Sequence, residues 1–249
     1  MTLRRAMAAA RLVFVIRAVI VDVDDTLCLT EAVCFDLENE VLTAMGRDPM
    51  SRAVHLATWG EPLLDAMPRR SPGVDLDRFA VTYRQVLRRY ILSGRLDHIA
   101  PENLDALDRI ILDGRTVMLL TSRTEAEIEH MLAPDHVLAQ RVGAVYHADN
   151  TRFRKPDPRA FDELLAATGL GPEQCVYVGD SPGDAQAAGG AGLHFIACLQ
   201  SGVRERQDFD IRHVSAFIHT FSELVDEVRR LDATRLPPSS QALACEPSP

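Results

Sequence analysis

Residues 18–27 read AVIVDVDDTL, an apolar run that passes directly into three aspartates within four positions. Successive side chains on an extended segment point to opposite faces, so Asp22 and Asp24 share one side and Asp25 is turned away. A pair of acids is thereby aimed at one point; the plainer alternative is a strand running out into a solvated acidic turn. A second acidic stretch, VGDSPGD, places Asp180 and Asp184 four apart on a turn opening into a helix, so they face one way, and Gly179 and Gly183 let backbone approach a ligand closely. If these four carboxylates meet, they cannot all stay ionised without counter-charge, and an all-oxygen set with no His or Cys nearby selects a hard cation, Mg²⁺ above all. TSRTEAE adds hydroxyls: Ser122 and Glu125 have the spacing of a capping box, and a helix start of that kind also offers amides to a phosphate. Lys155, stiffened by Pro156 and Pro158, is either a solvated lysine or a fixed cation for a phosphoryl group.

Whether these residues meet depends on the elements that carry them. Residues 28–46 repeat apolar positions at four-residue steps and stop at Gly46; residues 75–94 do the same and stop at Gly94. Between them SRAVHLATWGEPLLDAMPRRSPG is helical in patches, broken by proline and glycine. From Pro101 the pattern alternates: a helix to Asp113, strand TVMLL, a helix from about Thr124, strand GAVY, a helix over about 157–168, strand CVYVGD, a helix, and strand LHFIACL. Alternating strands and helices predict an α/β fold with a parallel sheet covered on both faces. In such sheets ligands bind beyond the carboxyl ends of the strands. Asp22, Asp24, Thr121, Ser122, Asp180 and Asp184 all follow predicted strands, so all are expected in one crevice.

Composition sets the wider bounds. The chain has 249 residues, 47% hydrophobic and 25% charged, with a net charge of −9, which argues against nucleic acid or an anionic membrane as partner. The Arg-rich start, MTLRRAMAAARLVFVIRAVIV, has its apolar run interrupted by Arg11 and Arg17 and reads as a leader into a buried strand, not an export signal. No run reaches the roughly 18 apolar residues of a membrane span. Five cysteines, an odd set without CxxC spacing, read as reduced thiols of a cytoplasmic protein.

The order DVDDT, LLTS, KPDP, VGDSPGD resembles the four signature motifs of the haloacid dehalogenase-like hydrolase superfamily, over residues 17–200. The helical insert is similar to the cap of its phosphoglycolate-phosphatase-like and β-phosphoglucomutase-like branch. The resemblance implies a Rossmann-like core over 1–27 and 99–232 and an all-helical cap over 28–98; the proline- and serine-rich composition of the last stretch, RLPPSSQALACEPSP, reads as a disordered tail over 233–249. It implies Asp22 as nucleophile, Asp24 as general acid and base, and Thr121, Ser122 and Lys155 as phosphate ligands. It also implies Mg²⁺ on Asp22, the backbone carbonyl of Asp24, Asp180 and Asp184. Asp25 stands where that branch commonly has glycine.

The expected activity is a Mg²⁺-dependent phosphatase acting on a small phosphorylated metabolite through an aspartyl-phosphate, as a monomer or homodimer. Two alternatives remain: a phosphosugar mutase, with Arg52, His55 and Lys155 reorienting an intermediate, and a non-catalytic binding protein on the same scaffold. Substrate choice is expected from the cap, at Arg52, His55, Trp59 and Gly60.

Overall fold

The computed structural model describes residues 15–233; the leader and the tail beyond 233 lie outside them. Strands β1 (Ala18–Val21), β2 (Thr116–Leu120), β3 (Ala144–Tyr146), β4 (Cys175–Gly179), β5 (His194–Cys198) and β6 (Ala216–Ile218) form one sheet in the order β3-β2-β1-β4-β5-β6. Every pairing is parallel. A parallel sheet is covered on both faces, so its central strands need apolar residues at every position rather than at alternate ones. AVIV and CVYVG meet that demand and are buried throughout. The short edge strand β6 was not anticipated: AFI in HVSAFIHT is too brief to read as a strand.

Helices α5 (Pro101–Leu112) and α9 (Leu224–Ala233) cover one face, burying Leu107, Ile110, Val225 and Val228 against Val19, Val21, Val117 and Val176. Helices α7 (Asp162–Thr168) and α8 (Pro182–Ala191) cover the other, burying Leu164, Ala185 and Ala188 against Ile20, Met118, Tyr177 and Phe195. Helix α6 (Glu125–Ile128) is only four residues long and passes into a 3₁₀ turn. Its capping box is Thr124 with Glu127, not Ser122 with Glu125. Thr124 is itself extended and serves as the N-cap, so the helix starts two residues later than the Ser122 reading required.

Between β1 and α5 lie α1 (Glu31–Ala44), α2 (Arg52–Ala57), α3 (Leu63–Arg70) and α4 (Leu76–Leu92), which build their own core from Leu37, Val41, Met67, Phe79, Val86 and Leu87. Beside it a charged network is sealed inside the insert. Arg70 donates from Nη1 to Glu38 (2.6 Å) and from Nε to Thr58 Oγ1 (2.8 Å), and the Nδ1 of His55 lies 2.7 Å from Glu31 Oε1. Buried charges persist only when paired, so this network holds α1, α2 and α3 in a single register.

Candidate active site

The strand order reverses direction at β1, whose neighbours are β2 and β4, and the carboxyl ends of β1 and β4 bound the crevice expected at such a switch point. Asp22 leaves β1 with its N–H donating to Val178 O (2.9 Å), which places it beside the end of β4. Asp180 follows β4 directly. Asp184 sits in the first turn of α8, where it accepts from the Ser181 N–H (3.0 Å) and hydroxyl (2.6 Å), a capping box that fixes its carboxylate. The acidic turn is therefore both a helix cap and part of the site.

Lys155 ties these acids together. Its Nζ lies 3.0 Å from Asp22 Oδ1 and 2.7 Å from Asp184 Oδ1, and donates to the Tyr177 hydroxyl at 2.8 Å. Burial opposes the ammonium, but Asp184 and Asp22 outweigh it and hold Lys155 charged, above the ordinary lysine range. Burial lifts the Asp22 carboxyl to about 7, with Lys155 pulling it down and Asp184 and Asp24 pushing it up. Asp180 is raised in the same way by burial, then by Asp184 and Asp22. Tyr177, deep in β4, is raised too and stays a neutral phenol at the centre of the cluster.

One lysine does not neutralise three acids. Asp22, Asp180 and Asp184, all buried, each offer an oxygen, and these oxygens lie within 4.8 Å of one another. Asp180 lines the cavity and receives no hydrogen bond from the described residues. A hard divalent cation fits this donor set: the ligands are oxygen only, they carry more negative charge than one lysine offsets, and burial raises the Asp22 and Asp180 carboxyls.

Asp24 takes a different partner. Its carboxylate accepts from Arg123 Nη2 (2.7 Å) and Thr30 Oγ1 (2.8 Å), and Arg123 reaches on through Nη1 to Asp97 (2.6 Å) in the stretch joining α4 to α5. Burial alone would raise Asp97, but His130 and Arg123 hold its carboxyl below the ordinary value. Asp25, at φ 54°, occupies the left-handed region that favours glycine and tolerates Asp. Its carboxylate accepts from the N–H groups of Thr30 (2.9 Å) and Glu31 (3.0 Å) at the start of α1, and from Trp59 Nε1 (2.7 Å). Turned away from the acid pair, it fastens the helical insert to the sheet.

A cavity of about 410 Å³ opens between insert and sheet, walled by Asp22, Asp24, Ser122, Lys155, Asp180 and Asp184 from below and by Trp59 and Gly60 from the insert. Thr121 is buried behind this wall, where its Oγ1 accepts the Arg123 N–H (3.2 Å). The cap expectation needs correction at two positions. His55 has no exposed surface, and Arg52 pairs with Glu31; neither reaches the cavity. Glu31 accepts from Arg52 and lies 2.7 Å from His55 Nδ1, which draws both side chains away from the cavity. Arg123, Tyr177, Asp97 and Arg204, which also lines the cavity, were not anticipated.

Gly179 is required by this packing. A Cβ there would lie 2.8 Å from Asp184 Cγ and Oδ2 and 2.9 Å from its Cβ, and Asp184 is too well held by Ser181, Tyr177 and Lys155 to give way cheaply. We expect Gly179→Ala to destabilise the protein by about 1–3 kcal/mol, the usual scale for overpacking. Turnover should fall and the metal concentration for half-activity should rise, both read from metal titrations beside thermal melts. Unchanged metal dependence would show that Asp184 does not act at the cation.

Residues 19–198 match the family model described as haloacid dehalogenase-like hydrolase. A phosphoglycolate phosphatase of Cereibacter sphaeroides strain ATCC 17025 is 29% identical over 86% of this chain and 98% of its own length. A phosphoglycolate phosphatase of Aliivibrio fischeri is 35% identical over a shorter stretch, 41% of this chain and less than half (45%) of that relative. The solved structure of CbbY from Rhodobacter sphaeroides in complex with phosphate superposes with a TM-score of 0.71 at 19% identity, covering 86% of this chain and 99% of that one, a likeness of fold. The phosphatase assignment that the four motifs imply is thus one that named relatives carry. With a single family model spanning both acidic stretches, the lysine and the central strands that carry them, the chain belongs to the haloacid dehalogenase-like hydrolases.

Proposed function

We propose that this protein is a Mg²⁺-dependent phosphatase that hydrolyses a small phosphorylated metabolite, 2-phosphoglycolate being the first candidate, through an aspartyl-phosphate. The observation that carries the reading is the buried set of Asp22, Lys155, Asp180 and Asp184 at the carboxyl ends of β1 and β4, fit for a divalent cation and open to a cavity of metabolite size. An Asp22 oxygen attacks phosphorus and the ester oxygen leaves with the proton of Asp24; water, giving its proton back to Asp24, then releases phosphate from Asp22. Lys155 neutralises the phosphoryl oxygens and Ser122 lies on the same wall. Asp22, Asp180 and Asp184 would hold a Mg²⁺ ion, which would supply the remaining positive charge that phosphoryl transfer needs. Arg123 holds the Asp24 carboxylate near the acid pair, so the proton carrier does not swing into bulk water.

The mutase alternative asked Arg52, His55 and Lys155 to hold and turn an intermediate; Arg52 pairs with Glu31 and His55 is buried against it, both away from the cavity. Among the described residues no helix is long and apolar enough to cross a membrane. Phosphate release from a panel of phosphorylated metabolites, with Mg²⁺ and with chelator, tests the reading. We expect turnover of small phosphoesters that disappears in chelator and returns with Mg²⁺. Full turnover in chelator would overturn the metal assignment, and no release from any ester would favour the non-catalytic alternative.

A further inference from the structure

Four cationic side chains line the cavity, and three are already spoken for by carboxylates. Lys155 has Asp22 and Asp184, Arg123 has Asp24 and Asp97, and Arg70 has Glu38. Arg204, on the loop after β5, is the exception: among the described residues no carboxylate pairs with it. Its Nη2 donates to the backbone carbonyl of Trp59 at 2.9 Å, and its Nε is buried with no partner at all. An unpaired buried donor on a charged group is costly, and a guanidinium presents parallel donors that suit a planar or tetrahedral oxyanion. Arg204 also comes from the sheet side yet touches the insert at Trp59, so it stands where the two walls of the cavity meet.

We propose that Arg204 is a specificity-determining residue that binds a second anionic group on the substrate, remote from the phosphoryl group being transferred. This deepens the phosphatase reading above and rests on it. The phosphoryl end of a substrate meets Lys155 and the acid cluster; an anion at the other end would face Glu38, Glu61 and Glu127 on the cavity wall without Arg204 to offset them. Glu38 is paired with Arg70 and Glu61 with Arg69, while Glu127 accepts from the Thr124 N–H and hydroxyl, so among the described residues Arg204 is the lining cation with no carboxylate of its own. A carboxylate and a second phosphoryl group share the chemistry that Arg204 reads, and both fit the inference.

The test compares kcat/KM for 2-phosphoglycolate, for a sugar bisphosphate and for two esters with no second anion, 2-hydroxyethyl phosphate and p-nitrophenyl phosphate. Wild type, Arg204→Gln and Arg204→Lys are measured, with thermal melts to establish that each is folded. For the wild type we expect preference for an anionic ester over 2-hydroxyethyl phosphate. In Arg204→Gln that preference should fall about 10- to 100-fold, the scale of a charge-assisted hydrogen-bond pair, mainly through KM, with partial recovery in Arg204→Lys. Which anionic ester loses most tells carboxylate from phosphate. Equal losses on all four esters would show a merely structural role and overturn the proposal, as would a wild type indifferent to the second anion. Failure of the phosphatase reading is separately visible, as absence of turnover on all four esters by the wild type.

Discussion

Replacing Asp22 by asparagine should abolish phosphate release and leave the protein folded. The amide has nearly the same shape and can still accept from Lys155, which lies 3.0 Å away, so the packing around it survives. What it loses is the anionic oxygen that attacks phosphorus, and with it the covalent route. We expect turnover to fall by more than about 1,000-fold, a modest share of the acceleration enzymes supply. Stability should move the other way. The folded-state carboxyl is raised to about 7 from an ordinary 3.8, so between those values the folded protein holds a proton that the unfolded chain has released. Wild-type stability in metal-free buffer therefore declines as pH rises from about 4 to about 7, and the asparagine variant escapes that decline. Thermal melts across this range should show the variant gaining on the wild type with rising pH. Residual turnover near the wild-type rate would remove Asp22 as nucleophile.

Asp24→Asn is expected to give the second largest loss, with a signature of its own. If Asp24 served only through a side-chain bond to metal, excess Mg²⁺ would repair its loss. As acid and base, its replacement slows the reaction at any metal concentration, and by less for p-nitrophenyl phosphate, whose leaving group scarcely needs a proton. The contribution of such a group is on the order of 10²- to 10⁴-fold. Asparagine keeps an oxygen for Thr30 and Arg123 to bond, and Arg123 retains Asp97, so the turn should hold. Equal losses on alkyl and nitrophenyl esters, rescued by metal, would show that Asp22 and Asp24 do not divide the work.

The parts of this site that were legible in the sequence are those that follow an apolar strand. Asp22, Asp24, Asp180 and Lys155 lie at strand ends or in a proline-stiffened turn, and the alternation of strands with helices is enough to bring such ends together. Asp184 was legible from its spacing, four positions after Asp180 on a turn opening into a helix; the Ser181 capping box that fixes its direction is a finding of the structure. Arg123 was hidden because an arginine after TS reads as a solvated side chain; only the fold brings Asp24 and Asp97, 73 positions apart, around one guanidinium. Tyr177 was hidden inside CVYVG, where an aromatic is a good strand former and gives no sign of its hydroxyl. Arg204 lies in a loop with no periodicity to place it. At Arg52 and His55 the spacing in SRAVHLATWG correctly puts a helix near the cavity, but not which face it turns there; the buried acids of α1 decide that.

The central claim is that Asp22 carries the phosphoryl group. The most direct measurement mixes Asp24→Asn with p-nitrophenyl phosphate, whose leaving group scarcely needs a proton, and Mg²⁺, quenches in acid within the first turnover and examines the peptides by mass spectrometry. That variant makes the intermediate but lacks the base that clears it, so the peptide containing Asp22 should carry the mass of one phosphoryl group, in an amount approaching one per active site. A burst of product with the Asp22 peptide unmodified, or with the label on another residue, would contradict the account.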